Sequence, residues 1–494
     1  MTRSRAALVV ALVGAALYLT TLGNGFVMDD GYNVVRNTEI RSLANVPGMF
    51  LSAVGADSDD LYERQINQSY WRPLASTSFA LDHAIWGLRP AGFHLTNVLL
   101  YAALCALVAL VLGRLTSPGG ALAGGLWYAV HPVHAEAVNL VTYRTELLAA
   151  LAVAGALALL TGGDRRPRNL LLIPLVYAAG LLSKESAATL PAWLLATELV
   201  TRRGRLLARP WWPLYGALAA VLAAWLVARA ALLTPTDVRF FGDLDGPLVF
   251  MSAMKIYGLY VRLLVLPWPL TPFYDWTILP PASSLADPVA LAGLAALVVT
   301  IGLVIALRRR APLVAMGLGC WLVGLLPFSQ LVPLPVGAAE RFLLIPTIGI
   351  AVVVAAAGHA LARRRLMVAG ALVLAGYAAM VLTRNGDWES DLALQEATVA
   401  AWPESFNAHH VLGQLYLDAG RVEDAVETLS AADHLLPGVP PNTALLARAL
   451  VRAGRPVEAV AAVDRALARV GPDPALLALR REVQGALPSA TPGR

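Results

Sequence analysis

The sequence predicts an all-α protein: a polytopic transmembrane helix bundle of about eleven spans, followed by a short soluble α-solenoid. Three observations predict it. The 494 residues are 57% apolar and only 14% charged, against about 25% charged in a typical soluble domain. Apolar runs recur through the first 384 residues, separated by arginine clusters or polar loops. Beyond residue 384 that pattern stops and a 34-residue self-similarity takes over. The mean hydropathy of +0.62 agrees. So few charges cannot cover a water-facing surface, so most of the chain must face lipid or other apolar helices.

The spans are predicted near 6–24, 95–114, 120–137, 145–162, 169–184, 186–200, 211–233, 288–307, 312–330, 342–361 and 366–384. A crossing helix needs about 20 apolar residues, so the runs at 169–184 and 186–200 are short and lean on their neighbours. Arginines set the orientation, because basic loops stay cytoplasmic. Arg3 and Arg5, Arg114, the cluster Arg165, Arg166 and Arg168, the cluster Arg202 to Arg209, Arg308 to Arg310 and Arg363 to Arg365 all fall on one side under this count. The N-terminus is then cytoplasmic and the C-terminal tail extracytoplasmic. Residues 247–270 are apolar enough to cross, but crossing would strand the Arg308 cluster on the wrong side. They read instead as a re-entrant or interfacial helix, with Lys255, Arg262 and the tyrosines at the headgroup level. The N-terminal apolar run lacks a clean cleavage site and reads as a retained first span.

Two domains follow: a membrane domain over 1–384, with a long outer loop at 25–93, and a tail over 385–488. In the tail, residues 407–440 align with 441–474: Gly420-Arg421 with Gly454-Arg455, Ala425 with Ala459, Pro440 with Pro474. A period of 34 with Gly at the helix–helix turn and Ala in the second helix is the tetratricopeptide pattern. Residues 475–486 should cap the stack, and the Pro-rich end at 488–493 should fray. Two repeats and a cap make a minimal solenoid, which should lean on the membrane domain or on residues 387–402.

The net charge of +5 sits in short clusters between apolar runs, not on one face, so nucleic-acid binding is excluded. Only two cysteines, Cys105 and Cys320, occur, both within apolar runs, so neither a disulfide framework nor a reactive thiol is indicated.

The chemistry gathers on the outer side of this topology. Asp29 and Asp30 lie just beyond the first span. Arg72 precedes Asp82, His94 and Asn97. His131, His134 and Glu136 end the third span. Arg144 and Glu146 open the fourth. Lys184 and Glu185 lie between spans five and six, and Glu340 and Arg341 precede the tenth. Each has an ordinary explanation: a solvated loop start for the Asp pair, a local ion pair for Lys184-Glu185, an interfacial anchor for Glu340-Arg341. Ionisable groups at membrane depth are nonetheless costly and usually functional, and their convergence on one face strengthens the case. His131 and His134 do not have a recognised zinc spacing. No metal ligand is assigned, and a divalent cation is left open. Only two of the 38 basic residues are lysines, Lys184 and Lys255. Retaining Lys at 184 hints at a need for a compact ammonium. Carboxylates with cations on the outer face of a membrane bundle suit one kind of chemistry, in which a general base acts on an acceptor hydroxyl while cations hold a phosphate leaving group.

These residues, in order, carry a family resemblance. Asn24-Gly25-Phe26 leads to Asp29-Asp30. Trp71-Arg72-Pro73-Leu74 and Gly92-Phe93-His94-Leu95-Thr96-Asn97 follow. Then come His131-Pro132-Val133-His134-Ala135-Glu136-Ala137-Val138, Arg144 with Glu146-Leu147-Leu148, Leu182-Ser183-Lys184-Glu185, Glu340-Arg341-Phe342, and Asn385-x-x-Trp388 at the head of the repeats. The chain resembles the GT-C superfamily of membrane glycosyltransferases. Within it, the chain most resembles the transmembrane-and-tetratricopeptide O-mannosyltransferases. The resemblance implies a polyprenyl- or dolichyl-phosphate sugar donor, inverting transfer, and an acidic catalytic residue in the first outer loop. Carried over, that acid is Asp29 or Asp30, with Asp29 preferred, and Glu136 maps to an acidic position near the site. Arg144, Lys184 and Arg341 become candidates for the donor phosphate, and Arg72, His94, His131, His134, Glu185 and Glu340 for further substrate contacts. The expected protein is a multi-pass bacterial inner-membrane hexosyltransferase of protein glycosylation type, with a protein, lipid or glycan acceptor and a partner-holding tail. Two departures stand out: the tail holds only about two repeats, and Asp57, Asp59 and Asp60 are extra acids, read as a solvated turn.

Two other classes compete. A membrane scaffold that recruits secreted partners through its tail would not need carboxylates, histidines and Lys184 on one face. A transporter of lipid-linked sugar should show inverted repeats and midplane charges; the membrane part shows neither.

Overall fold

The structure, a computed structural model, describes residues 2–53, 70–162, 167–201, 212–233, 240–242, 244–331, 334–358 and 364–485. Asp57, Asp59, Asp60, Arg165, Arg166, the Arg202 to Arg209 cluster, Arg363 and the end at 488–493 lie outside these residues. The described residues form helices and turns with no strand among them. Helices α1 to α15 are Arg3–Tyr18, Val46–Met49, Pro73–Trp86, Pro90–Leu115, Pro118–Val130, Ala135–Asn139, Arg144–Thr161, Pro167–Leu181, Leu190–Thr201, Trp212–Leu232, Gly246–Val265, Pro288–Leu307, Pro312–Leu325, Pro346–Ala357 and Arg364–Asp387. Helices α16 to α21 are Asp391–Ala401, Phe406–Asp418, Val422–Leu435, Pro440–Arg452, Pro456–Val470 and Pro474–Gly485.

Every predicted span has its helix, and among the described residues seven helices are long and apolar enough to cross a bilayer. The chain is a multi-pass membrane protein. Several helices stop earlier than the apolar runs suggest. Helix α5 ends at Val130 and not near residue 137, because His131 precedes Pro132 and a residue before proline is driven out of the α region. Helix α14 starts only at Pro346, after a 3-10 turn at Glu340–Leu343. The polar residues of both segments are thereby freed from regular helix and can turn towards one another.

Small residues let the helices close. A side chain on Gly349 of α14 would lie 2.5 Å from the Gly317 carbonyl of α13, and one on Gly124 of α5 would lie 2.4 Å from the Ala351 carbonyl. Such glycine contacts are how membrane helices pack when no hydrophobic drive separates them from lipid. One end of the bundle collects basic groups: Arg3 packs at Gly113, and Arg114 donates to the Ala158 carbonyl. The opposite end is tied by three amides. Asn385 of α15 donates to the Leu17 carbonyl and accepts from Asn139 at 2.8 Å, while Asn24 donates to the Asn385 carbonyl at 3.0 Å. This end carries the polar motifs.

Helix α11 is long and apolar enough to cross, and the segment before it and its later turns both contact the connection before α14. Phe240, just before it, donates its amide to Leu334 and packs its ring on Gly337, and Tyr260, near its end, accepts the Ala339 amide.

The chain divides into two compact units, 1–268 with 282–389, and 269–281 with 390–494. Helix α15 runs through residue 384, and the second unit begins at Ser390. In that unit α17 and α18 form one antiparallel pair and α19 and α20 the next. Gly420 and Gly454 stand at the turns with φ of +76° and +73°, a backbone region that glycine enters without strain. Ala425 and Ala459 are fully buried between the helices. The sequence does not reveal one element here. Residues 269–281 come from the connection after α11, and Asp275 accepts from Ser405 Oγ and the Asn407 amide, both at 2.8 Å, capping α17. Helix α16 and this segment supply the support that a two-repeat stack needs.

Candidate functional site

The loop after α1 turns on Met28, whose backbone is left-handed at φ +49°. A non-glycine residue there costs about 1–2 kcal/mol and persists only when its surroundings hold it. The turn sends Asp29 and Asp30 into different surroundings. Asp30 is fully buried. Its carboxylate accepts from the Thr142 amide at 2.7 Å, Thr142 Oγ1 at 2.8 Å, the Val141 amide at 3.2 Å and the Val27 amide at 3.5 Å. Burial pushes this carboxyl up to about 7, while Thr142 and the two other amides pull it down. Asp29 is half-buried, and its carboxylate accepts from Tyr143 Oη at 3.0 Å.

Residues 131–143 cross the polar end as a chain of short turns, all buried. His134 is held between Tyr101 Oη and Thr347 Oγ1, each at 2.9 Å, and His131 contacts the Leu264 carbonyl at 3.2 Å. His94 contacts the Gly25 carbonyl at 3.1 Å. These rings knit α4, α5, α11 and α14 together. Among the described residues no group of three or more His, Cys, Asp or Glu could hold a metal ion.

Glu136 and Arg341 form a buried ion pair, and the Glu136 carboxylate also accepts the Arg341 amide at 2.7 Å. The Arg341 guanidinium lies 4.1 Å from the centre of the Tyr143 ring. Lys184, beyond the end of α8, pairs with Glu146 and lies 5.4 Å from the centre of the Phe342 ring. Burial lowers the Lys184 ammonium to about 8; Glu146 opposes this, while Arg72 and Arg341 add to it. The three cations are therefore close enough to feel one another. Beside them Glu185 bridges Arg72 at 3.0 Å and Arg229 at 2.8 Å. Glu340 is fully buried in the same turn as Arg341. Asp29, Glu136, Lys184 and Arg341, expected to share one site, are thus linked through Tyr143 and Phe342.

Burial alone would raise the Glu185 carboxyl, but Arg72 and Arg229 hold it at about 2, below its ordinary 4.5. A carboxyl depressed in the folded state contributes stability above the unfolded value and loses it as pH falls through the folded one. Melting temperature should therefore drop as pH goes from about 4.5 towards 2. Glu185→Gln should remove that part of the dependence, and an unchanged acid limb in the variant would contradict the bridge.

Arg144 is different from its expected role as a phosphate ligand. It is fully buried. Its Nε donates to Asn97 at 2.8 Å, Nη1 to the Ser78 carbonyl and hydroxyl at 3.2 Å, and Nη2 to the Phe93 carbonyl at 3.0 Å, with Asp82 at 2.5 Å. Four hydrogen bonds and an ion pair thus hold the guanidinium within the protein. Two residues of the site are absent from the sequence-based set. Arg229 could have been found as a lone arginine in the last turn of α10, at the end opposite the arginine clusters. Tyr143 carried no signal beyond standing next to Arg144.

Against known proteins, no family model matches the chain. It is 37% identical over 182 residues to protein O-mannosyl-transferase Tmtc1 of Drosophila melanogaster, covering 35% of this chain and 20% of that protein. It is 26% identical over 491 residues to protein O-mannosyl-transferase TMTC4 of Mus musculus, covering 85% of this chain and 65% of that protein. Both of these similar proteins are protein O-mannosyl-transferases. The resemblance read from the ordered motifs is borne out. The chain spans about a fifth of the first fly relative and less than two thirds of the mouse one. A crystal structure of ArnT from Cupriavidus metallidurans bound to undecaprenyl phosphate aligns over 94% of this chain and 81% of its own, at 13% identity and a TM-score of 0.41.

Proposed function

We propose that this chain is a membrane glycosyltransferase of the GT-C type. It moves a sugar, a mannose-like hexose, from a polyprenyl-phosphate donor to an acceptor hydroxyl on the extracytoplasmic face, with Asp29 as general base. The observation that carries the reading is the contrast between the paired acids. Asp30 is closed by four donors, whereas Asp29 keeps an open side and reaches, through Tyr143, the Arg341 and Lys184 cations. A base must touch the proton it removes, and the open side of Asp29 supports that reading. In the step, the acceptor oxygen attacks the anomeric carbon and its proton passes to Asp29. The bond from that carbon to the phosphate oxygen breaks on the opposite face, which inverts the centre. The polyprenyl phosphate leaves with one more negative charge, and Arg341 and Lys184 are placed to stabilise it. Glu136 and Glu146 hold those two cations in position. Arg72, Glu185 and Arg229 form the flank on which the phosphate approaches.

The tail over 385–488, with repeats 407–440 and 441–474 and a cap at 475–486, is read as a tetratricopeptide-type arm for a protein acceptor or partner. The membrane is a bacterial inner membrane, with the arginine end cytoplasmic.

The test is transfer from polyprenyl-phosphate mannose by the purified full chain, with release of polyprenyl phosphate as readout. Lys184→Gln and Arg341→Lys should raise the donor KM by about 10–100-fold, the loss of one charge-assisted contact. Unaltered donor KM in both variants would remove the phosphate role.

A further inference from the structure

Tyr143 joins the two halves of the site. Its hydroxyl donates to Asp29 Oδ2 at 3.0 Å, and its ring carries the Arg341 guanidinium at 4.1 Å from the centroid. Arg341 is in turn fixed by Glu136, through the ion pair and through its own amide. The residue is held from both sides in sequence: Thr142 clamps Asp30 and Arg144 is locked by Asn97, Ser78, Phe93 and Asp82. The ring is thus a fixed wall between the acid and the cation.

We infer that Tyr143 is a positioning residue, which aims the Asp29 carboxylate and sets its spacing from Arg341. The inference rests on the reading of Asp29 as the base. Its chemical logic comes from the two lone-pair edges of a carboxylate. A phenol donating to Oδ2 fixes the plane of the group and leaves Oδ1 to take the acceptor proton. On the other face, the aromatic ring attracts a guanidinium and keeps it flat. A flat, immobile Arg341 presents its remaining N–H groups to a phosphate without reorganising. One side chain therefore holds the base and the leaving-group cation at a constant separation, as in-line displacement requires.

Two variants separate the two contacts. Tyr143→Phe keeps the ring and loses the hydroxyl. Its kcat should fall about 10–100-fold, with donor KM within twofold of wild type. Tyr143→Leu loses both contacts, and its donor KM should also rise at least fivefold. Donor binding on the same preparation reports the folded fraction. Wild-type kcat in Tyr143→Phe would overturn the inference, as would loss of donor binding in step with activity, since the hydroxyl would then be only structural. Asp29→Asn keeps this outcome apart from failure of the parent reading. An inactive Asp29→Asn beside a fully active Tyr143→Phe removes only the role of Tyr143, whereas an active Asp29→Asn removes the base itself.

Discussion

Asp29→Asn should lower kcat about 10³-fold while donor KM and melting temperature stay near wild type. Positioned general bases contribute about 10²–10⁴-fold, so the loss should sit within that range. Stability should hold because the variant keeps the shape, and an Asn carbonyl oxygen can still accept from Tyr143 Oη. The neighbouring acid should respond in the opposite way. Asp30→Asn puts an amide group where four donors converge: the Thr142 amide and hydroxyl and the Val141 and Val27 amides. At least one donor then faces another donor inside a fully buried site, which costs about 1–3 kcal/mol. Asp30→Asn should therefore melt earlier and lose folded protein, with kcat per folded molecule less affected. Turnover and thermal denaturation of the two detergent-purified variants check both halves. Full transfer activity in Asp29→Asn would sink the assignment of the base.

That contrast shows what a sequence can carry. The adjacency of Asp29 and Asp30 is plain in the chain; their separate surroundings are not. The difference depends on Thr142, more than a hundred residues away, and on the left-handed turn at Met28. The bundle is legible because the apolar runs and arginine clusters are long-range averages over many residues. The early stop of α5 is hidden because hydropathy continues past Val130 while the backbone does not: His131-Pro132 ends the helix by local sterics. The role of 269–281 as a cap on α17 has no sequence signal at all, since Asp275 acts on Ser405 and Asn407 through tertiary contact alone. Among charged residues, sequence can say that they gather at one end. It cannot say which are spent on the fold and which are open.

Arg144 tests that last distinction most sharply. Read from its motif, it is a phosphate ligand, and Arg144→Lys should weaken donor binding. Read from the structure, it is a three-way tie between α3, α4 and α7, satisfied by Asn97, Ser78, Phe93 and Asp82 and fully buried. Removing it leaves Asp82, itself buried, without its cation. Breaking a buried ion pair from one side costs about 3–5 kcal/mol, because the orphaned charge must be desolvated without compensation. Lysine offers no planar fork and cannot reach three helices at once. Arg144→Lys and Arg144→Met should both lower the melting temperature sharply and reduce the yield of folded protein. In the molecules that do fold, donor KM should stay within about twofold of wild type, where Lys184→Gln raises it at least tenfold. The double variant Arg144→Met with Asp82→Leu should recover part of the lost stability, since it removes both buried charges together. A selective rise in donor KM for Arg144→Lys at wild-type stability would return the residue to the phosphate. The Asp82 partner makes the experiment decisive: rescue by removing a second charge can be explained by an internal tie, and a ligand contact cannot be rescued that way.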